Sequence, residues 1–325
     1  MRKVICTEDK HLTDNSSLGM NTQITHRVFG RNAPEAVNSA NAEMERLEKI
    51  MSRYIPESEI SLINQFSGIK PVKVCDEVYR VLSYANELSG ICDGLFDVTI
   101  GPLVDLWNYK HAPGVPEEAD ISQALSLVGY CDLLLNPSVG TAGLGKQGQS
   151  IDLGGVGKGF ASDRIIEIFK CYDIVSAFTN IGGNVSTLGN KPDGTPWMVG
   201  IRHPRQEGCL LGAVPVTGRS VVTSGDYERY FIDREGVRRH HILSPVTGYP
   251  AQAGLISATV ISDSAMLADA LSTLVFVSGL ERGAGFIKRF PGTEAIMVDE
   301  HQQIYITHGL KGCFQPAVHI STKII

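Results

Sequence analysis

The chain has 325 residues, of which 43% are hydrophobic and 20% are charged, the balance of a globular protein with one large or two medium domains. The formal net charge is −6, and no run of lysines and arginines is dense enough to follow a phosphate backbone, which argues against a nucleic-acid partner. The seven cysteines form no close pair, which excludes a CxxC zinc or redox motif. Because their number is odd, we expect buried free thiols in a reducing compartment rather than a complete disulfide framework.

We expect no targeting signal in the N-terminal region. Residues 1–18 are polar, and we expect a loose segment there, followed by one domain over 19–325. The first residues lack an apolar stretch long enough for secretion, and no stretch approaches 18 apolar residues. The sequence therefore predicts no membrane span and a cytoplasmic location.

The first half of the chain is predicted to mix helices with short strands. An alternating pattern favours a strand over 22–29, and apolar spacings of three and four favour helices over 33–54, 76–88 and 160–169. Asn32 with Glu35 is expected to cap the first helix, and Asp76 the second, with Gly90 just past its end. The segment 94–109 suggests a functional turn, and short strands are expected at 132–136 and 150–153.

The second half is predicted to be richer in strands. Apolar runs between 175 and 261 alternate with turn signals, of which 191–196 and 233–236 are typical of hairpins. A helix over 264–277 and two strands near 295–298 and 303–307 follow. The pattern indicates an α+β fold, a single compact domain of antiparallel sheets with packed helices.

Three glycine-rich patterns invite a phosphate-binding interpretation. Residues 140–146 fit GxxxxGK and residues 143–148 fit GxGxxG, but a strand rather than a helix is expected to follow them, so a flexible hairpin loop is the better interpretation. The turn from Gly154 to Gly159 precedes a predicted helix and contains Lys158. It is compatible with a phosphate site at a helix N-terminus and equally with a tight turn carrying an exposed lysine.

Asp269 and Thr273 lie four residues apart, hence on one face of the predicted helix. They offer only oxygen ligands, the preference of Mg²⁺ and, less strictly, Mn²⁺. A carboxylate among apolar neighbours is costly to bury without a charged partner, which a metal would supply. The alternative is a position at the rim that faces water.

Two further features border these segments. His240 and His241 point to opposite faces if their segment is extended, so at most one of them faces a site. Asn180, Gly182, Gly183 and Asn184 form another glycine turn that is able to receive a ligand.

Taken in order, these segments resemble the ApbE family of FAD:protein FMN transferases, and with it an ApbE-like, T-fold-like domain. The resemblance runs from about Gly19 to Gly279 and depends on eight segments: GMNT at 19–22, SRYIPESEISLIN at 52–64, DGLFDVTIGPLVDLW at 93–107, IDLGGVGKG at 151–159, NIGG at 180–183, SGDY at 224–227, HILSPVTG at 241–248 and ADALST at 268–273.

The resemblance implies a reaction: with Mg²⁺ beside the FAD pyrophosphate, the hydroxyl of a Thr or Ser on a client protein takes FMN and AMP is released. It also implies roles for individual residues. Asp269 and Thr273 are expected to bind the metal, with Ser272 and the main chain near Gly157 completing the shell. His241 is expected to assist the chemistry and Lys158 to neutralise a phosphate. The expected FAD contacts are Met20, Tyr54, Leu95, Phe96, Asp97, Gly154 and Leu243.

Three departures from the family pattern bear on that expectation. Ser244 stands where the family usually has Asp, and Asn21 where it usually has Gly. The secretory leader of many members is lacking, which implies a cytoplasmic client. The acceptor pattern D-x-x-S-G-A-T of known clients does not occur in this chain, which argues against self-modification.

Other functions stay open at this point. Water in place of the client hydroxyl would make the protein an FAD pyrophosphatase that releases free FMN and AMP. A non-catalytic flavin-binding protein is a further alternative, as is the same scaffold applied to another adenosine-containing substrate. The catalytic base is also open, because Asp226, His241 and Ser244 all lie near the relevant turns.

Overall fold

The computed structural model describes residues 3–7, 11–109, 114–317 and 321–325. Seven α-helices lie in this part of the chain: α1 (Ala33–Met51), α2 (Glu59–Gln65), α3 (Asp76–Ile91), α4 (Gly101–Trp107), α5 (Glu118–Leu125), α6 (Gly157–Cys171) and α7 (Ala265–Ile287).

Eighteen strands accompany them. They are β1 (Lys3–Thr7), β2 (Leu12–Gly19), β3 (Thr22–Phe29), β4 (Val72–Lys73), β5 (Leu133–Asn136), β6 (Thr141–Leu144), β7 (Ser176–Ile181), β8 (Asn184–Leu188), β9 (Trp197–Arg202), β10 (Leu210–Val216), β11 (Ser220–Gly225), β12 (Tyr230–Ile232), β13 (Arg238–His240), β14 (Leu255–Ser262), β15 (Glu294–Asp299), β16 (Ile304–Ile306), β17 (Gln315–Pro316) and β18 (Thr322–Ile324).

Ten of these strands form one sheet, in the order β1-β2-β3-β7-β8-β11-β14-β15-β16-β18. Neighbours are antiparallel except β16 and β18, which are parallel. The strands β17-β10-β9, in that order, form a second sheet, termed the three-stranded sheet. The strands β4-β6-β5 form a further sheet of three, and β12 pairs with β13.

The large sheet is buried on both faces. Helices α1, α6 and α7 cover one face and the three-stranded sheet covers the other, so that all eight residues of β14 are buried. Ala258 and Val260 contribute to the helix-side core, while Ile256 and Ile261 contribute to the core beneath the small sheet. This arrangement confirms the prediction of antiparallel sheets with packed helices.

Helix α7 lies at the centre of the fold. By length and composition it could cross a membrane, but most of its apolar part is buried in the protein. Burial of this extent is what a core helix shows. Gly279, at φ 77°, interrupts its helical backbone, so the part that carries Asp269 is a separate straight segment.

Most of the predicted elements are confirmed, with shifted ends. The strand at 22–29 and the helices that begin near 33, 76, 160 and 264 all form. The turn at 233–236 joins β12 to β13 as a hairpin. The turn at 191–196 instead connects two different sheets, and residues 150–153 form only an isolated bridge through Ser150.

One prediction about the N-terminal part is wrong. Residues 12–18 are not loose, because β2 pairs along its whole length with β3. Their inward side chains are polar: Asn15 accepts a hydrogen bond from Asn41 of α1, and Asn41 accepts one from Ser17. A strand whose buried side is polar lacks the alternation that marks strands in sequence.

The expected helix caps also differ from the observed ones. The side chain of Asn32 donates to the carbonyl of Tyr172 rather than capping α1. Asp76 is the first residue inside α3, with Cys75 at the cap position, and Gly90 lies within the helix.

The thiols were expected to be buried, and of the six whose side chains the structure describes, this holds for one. All six are free: Cys92 is buried, Cys75 is half-buried, and Cys131, Cys171, Cys209 and Cys313 are exposed.

His26 should make stability depend on pH. Burial lowers the pKa of this 2% exposed imidazole from 6.5 to about 4, and Thr179 is its hydrogen-bond partner. The unfolded chain binds this proton more tightly than the folded protein does. The stability that the neutral, buried His26 contributes is therefore complete above pH 6.5 and is lost as the pH falls towards 4. We expect the wild type to lose about 2 kcal/mol more stability between pH 7 and pH 5 than His26→Gln does in urea unfolding. The same replacement at the exposed His301 should leave that slope unchanged, and equal slopes for all three proteins would contradict the assignment.

Candidate active site

One cleft of about 1220 Å³ lies where the N-terminal ends of α6 and α7 meet the turns of the large sheet. All of the predicted site residues line it except Ser272. The predicted residues found in the lining are Met20, Tyr54, Leu95, Phe96, Asp97, Gly154, Gly157, Lys158, His241, Leu243, Asp269 and Thr273. Segments that are as far apart in sequence as 20 and 273 therefore meet in one place.

Helices α6 and α7 are fastened together by two carboxylates, one from each helix. Asp269 of α7 accepts the main-chain N–H of Gly159 at 2.9 Å. Asp163 of α6 accepts the N–H groups of Ala265 and Met266 at 2.7 and 3.0 Å, and so caps α7. This exchange fixes the position of Asp269, which is only 3% exposed. The rim alternative for Asp269 is therefore wrong.

The turn that leads into α6 presents positive charge and free amides to the cleft. The ammonium of Lys158 lies 3.7 Å from the Asp269 carboxylate and donates to the carbonyl of Gly154. The main-chain N–H groups of Gly155 and Lys158 have no hydrogen-bond partner among the described residues. Amides at a helix N-terminus beside an ammonium form an anion site.

Hydroxyl groups adjoin the carboxylate on the other side. Ser224 of β11 lies 3.2 Å from the Thr273 hydroxyl and 2.8 Å from the Ser272 hydroxyl. Ser272 is fully buried and donates to the main-chain carbonyl of Asp269. Ser272 thus lies behind the cleft and supports Ser224, whereas Thr273 faces the cavity.

This donor set suits a divalent cation. Asp269, Thr273 and Ser224 supply only oxygen atoms, the chemistry that Mg²⁺ and Mn²⁺ prefer. Within the described ranges no three His, Cys, Asp or Glu side chains cluster as a metal centre would. A cation here would take one carboxylate and would draw further oxygen ligands from hydroxyl groups, the main chain and a bound phosphate, as Mg²⁺ commonly does.

Comparison with known proteins identifies the family. The model of the ApbE family matches residues 20–297. The chain belongs to the ApbE family. An FAD:protein FMN transferase of Klebsiella pneumoniae (strain 342) is 33% identical over 95% of this chain and 96% of its own length. One of Treponema pallidum (strain Nichols) is 31% identical over 87% and 83%, respectively.

Solved ApbE structures have the same fold. The ApbE protein of Thermotoga maritima superposes with a TM-score of 0.86 at 32% identity, covering 93% of this chain and 99% of that one. The flavin transferase ApbE of Vibrio cholerae gives 0.84 at 25% identity and covers 96% and 100%.

Two of the three departures from the ApbE pattern, Asn21 and Ser244, have structural explanations. Met20 and Asn21 form the two-residue turn between β2 and β3, both with positive φ, a conformation that asparagine tolerates better than most residues. The Ser244 hydroxyl accepts the N–H groups of Val246 and Thr247 at 3.3 Å. A serine there closes the turn as a carboxylate would, and it does not line the cleft.

Substitutions at Ser244 distinguish a residue that stabilises the turn from one that binds the metal. We expect Ser244→Asp to keep FAD turnover within about threefold, and Ser244→Ala to cost about 1 kcal/mol of stability, the scale of a lost cap. Urea unfolding and FAD turnover of both variants check this. A large gain of metal affinity in Ser244→Asp would contradict it.

Of the candidate bases, His241 is the one that faces the cleft. Its Nδ1 lies 3.3 Å from the Arg229 carbonyl oxygen, and burial followed by the Arg229 charge lowers its pKa to about 3. The imidazole is therefore neutral at pH 7. His240 points the other way and contacts the Ala251 carbonyl, as predicted from alternation. Asp226 is held in a bidentate ion pair with Arg205 and is not part of the cleft lining.

The sequence did not single out Arg53 and Asp152, which form one wall of the cleft. Arg53 is 8% exposed at its side chain and bonds Asp152 at 3.0 Å and Asp105 at 2.5 Å. The other oxygen of Asp152 accepts the Gly154 N–H at 2.7 Å and so shapes the anion-binding turn. Arg53 lies in the segment SRY at 52–54, and neither adjacent residue is acidic. A charged residue without a local partner, inside a segment already assigned to the site, was the sequence signal that could have indicated its role.

Asp97 is another carboxylate in the lining, but it is satisfied internally. One of its oxygens accepts both the N–H and the hydroxyl of Thr99 at 2.7 Å. Burial raises the pKa of Asp97 above its ordinary value, and the two bonds from Thr99 oppose that shift. Asp97 thus fixes the loop that places Leu95 and Phe96 against the cleft.

Proposed function

We propose that this protein is an FAD:protein FMN transferase that requires Mg²⁺, transfers FMN to a serine or threonine of a client protein and releases AMP. The observation that carries the proposal is the junction of α6 and α7, where Asp269 and Thr273 lie beside free amides and Lys158. The Klebsiella and Treponema relatives, which are FAD:protein FMN transferases, support it.

The proposed reaction exchanges the phosphoanhydride bond of FAD for a phosphoester bond to the client. The acceptor oxygen bonds to the phosphorus of the FMN half, the bond from that phosphorus to the bridging oxygen breaks, and AMP leaves with the bridging oxygen. When bound, Mg²⁺ supplies positive charge that stabilises the negative oxygens of the pyrophosphate. Asp269 and Thr273 are the residues proposed to hold it, with the main chain near Gly157.

The protein's own groups are proposed to bind the phosphate, accept the hydroxyl proton and orient FAD. The amides of Gly155 and Lys158 and the Lys158 ammonium are positioned to hold a phosphate. His241 is proposed to accept the hydroxyl proton, because its imidazole borders the same cleft as Asp269 and Lys158. The predicted FAD contacts line the remaining walls and are proposed to orient the flavin and adenine.

We also propose that client and enzyme meet in the cytoplasm. Four of the described thiols are exposed and unpaired, a state that a reducing compartment maintains.

Product analysis tests the proposed function. Purified protein is incubated with FAD and MgCl₂, with and without a synthetic peptide carrying the acceptor pattern D-x-x-S-G-A-T. We expect AMP in the mixture and a peptide heavier by FMN minus water, and neither product when EDTA is present. AMP with only free FMN would show a pyrophosphatase, and intact bound FAD in every mixture would show a binding protein. Either result would overturn the transferase.

A further inference from the structure

The cleft is larger than one cofactor requires. Its volume of about 1220 Å³ exceeds the range of roughly 300–1,000 Å³ that is typical of small-ligand pockets. Four consecutive residues of β9, from Val199 to Arg202, line it. Since successive side chains of a strand point to opposite faces, a cavity that touches all four borders the edge of the strand rather than one face.

That edge of β9 is unpaired. In the three-stranded sheet β9 is the terminal strand and pairs only with β10 within the described part of the chain. An edge strand presents a row of free N–H and C=O groups, which is a template for another extended chain.

The register shows which groups of β9 are free. The carbonyl of Leu211 accepts the N–H of Ala317, on the β17 side of β10. Because the main-chain groups of successive residues in a strand point to opposite sides, those of every second residue of β10, starting at Leu211, point away from β9. Pro215, which has no N–H, belongs to that set and lies opposite Met198. The residues of β10 that face β9 are then Gly212, Val214 and Val216, opposite Ile201, Val199 and Trp197.

The N–H and C=O groups of Met198, Gly200 and Arg202 therefore point outward from the sheet. No hydrogen bond to these main-chain groups is found among the residues that the structure describes. Gly200 lines the cleft and has no side chain to obstruct an approaching backbone.

The surroundings suit a polar, extended segment. The guanidinium of Arg202 forms an exposed ion pair with Glu228, and the β7–β8 turn at Gly183 approaches the same guanidinium. The part of the edge from Val199 to Arg202, including this charged end, lines the cleft that also contains Asp269 and Lys158.

We propose that the acceptor segment of the client binds as an added strand along the free edge of β9. Main-chain bonds to Gly200 and Arg202 hold the segment, and its serine or threonine side chain enters the cleft. This inference rests on the proposed transferase function. It explains how one enzyme can position a hydroxyl on a protein substrate through backbone contacts, which depend little on the client's other side chains.

Two substitutions at one residue test the edge. Gly200→Pro removes the outward N–H, and a proline is tolerated at such an edge position. Gly200→Ala adds a Cβ at the same place and keeps the N–H; in both, the side chain of Leu210, 49% exposed, must give way. We expect Gly200→Pro to raise the KM for the D-x-x-S-G-A-T peptide at least tenfold over Gly200→Ala, with equal KM for FAD. An unchanged peptide KM would overturn the inference while leaving the transferase intact.

A second measurement serves if Gly200→Pro does not fold. Acceptor peptides N-methylated at single successive positions are assayed with the wild type. Added strands use alternate N–H groups, so we expect loss of labelling at every second position. A uniform effect, or none, would overturn the inference. No labelling of the unmodified peptide would instead overturn the proposed function together with this inference.

Self-association through β9 is the competing outcome. A wild-type dimer that Gly200→Pro converts to a monomer, with no change in peptide KM, would assign the edge to a second copy of this chain and would overturn client binding there.

Discussion

Asp269→Asn is expected to lower FAD cleavage by at least about 100-fold while the protein stays folded. The amide oxygen of asparagine can still accept the Gly159 N–H, so the junction of α6 and α7 keeps its bond. The negative charge beside Lys158 and Thr273 is lost, and with it the proposed cation ligand. Turnover of FAD with MgCl₂, and calorimetric titration with Mn²⁺, measure both consequences.

Asp163→Asn is the matched control. Asp163 is the other carboxylate of the same junction, but it caps α7 and does not line the cleft. We expect it to lose about 1–2 kcal/mol of stability, the scale of a helix cap, and to keep Mn²⁺ affinity within threefold. Equal FAD turnover in Asp269→Asn and the wild type would refute the metal site. Equal losses of turnover and Mn²⁺ affinity in Asp269→Asn and Asp163→Asn would show that the effect of Asp269→Asn comes from lost stability alone.

Gly159→Ala is expected to be strongly destabilising. A Cβ at this position would lie 2.4 Å from the carbonyl oxygen of Ala265 and 2.7 Å from the Cα of Met266, both main-chain atoms of α7. The two helices must therefore separate, which costs about 3 kcal/mol and moves Asp269 away from the Gly159 amide. We expect a Tm lower by several degrees together with a marked loss of FAD turnover.

Gly157→Ala adds the same methyl group two residues earlier. There the Cβ meets only the Cβ of Leu153 at 3.5 Å, an ordinary contact, and alanine favours a helix over glycine. Its Tm should equal or exceed that of the wild type. An equal Tm for Gly159→Ala and Gly157→Ala would contradict the explanation that close packing of α6 on α7 requires glycine at position 159.

The sequence located most of the candidate site because its segments carry local signals. The glycine turn before α6 and the spacing of Asp269 and Thr273 are readable without a structure, and both border the cleft. Ser272 shares that helix, yet it points behind the cleft to Ser224. Which of two adjacent hydroxyl groups faces a cavity depends on how the helix is rotated against the sheet, and that rotation is set by packing with α6.

What the sequence did not predict depends on long-range pairing. Strand β2 was missed because its buried partners, such as Asn41, lie on a helix some two dozen residues away. The link from Arg53 to Asp152 joins residues 99 positions apart. The free edge of β9 exists only because β8 and β9 enter different sheets, although a hairpin was expected between them.

The location of the metal and the pyrophosphate is the central claim, and a crystal structure of this chain grown with FAD and Mn²⁺ tests it most directly through the anomalous signal of manganese. We predict one strong peak bonded to the Asp269 carboxylate and the Thr273 hydroxyl, with a phosphate of the nucleotide against the amides of Gly155 and Lys158. Manganese elsewhere, or nucleotide density outside this cleft, would contradict it.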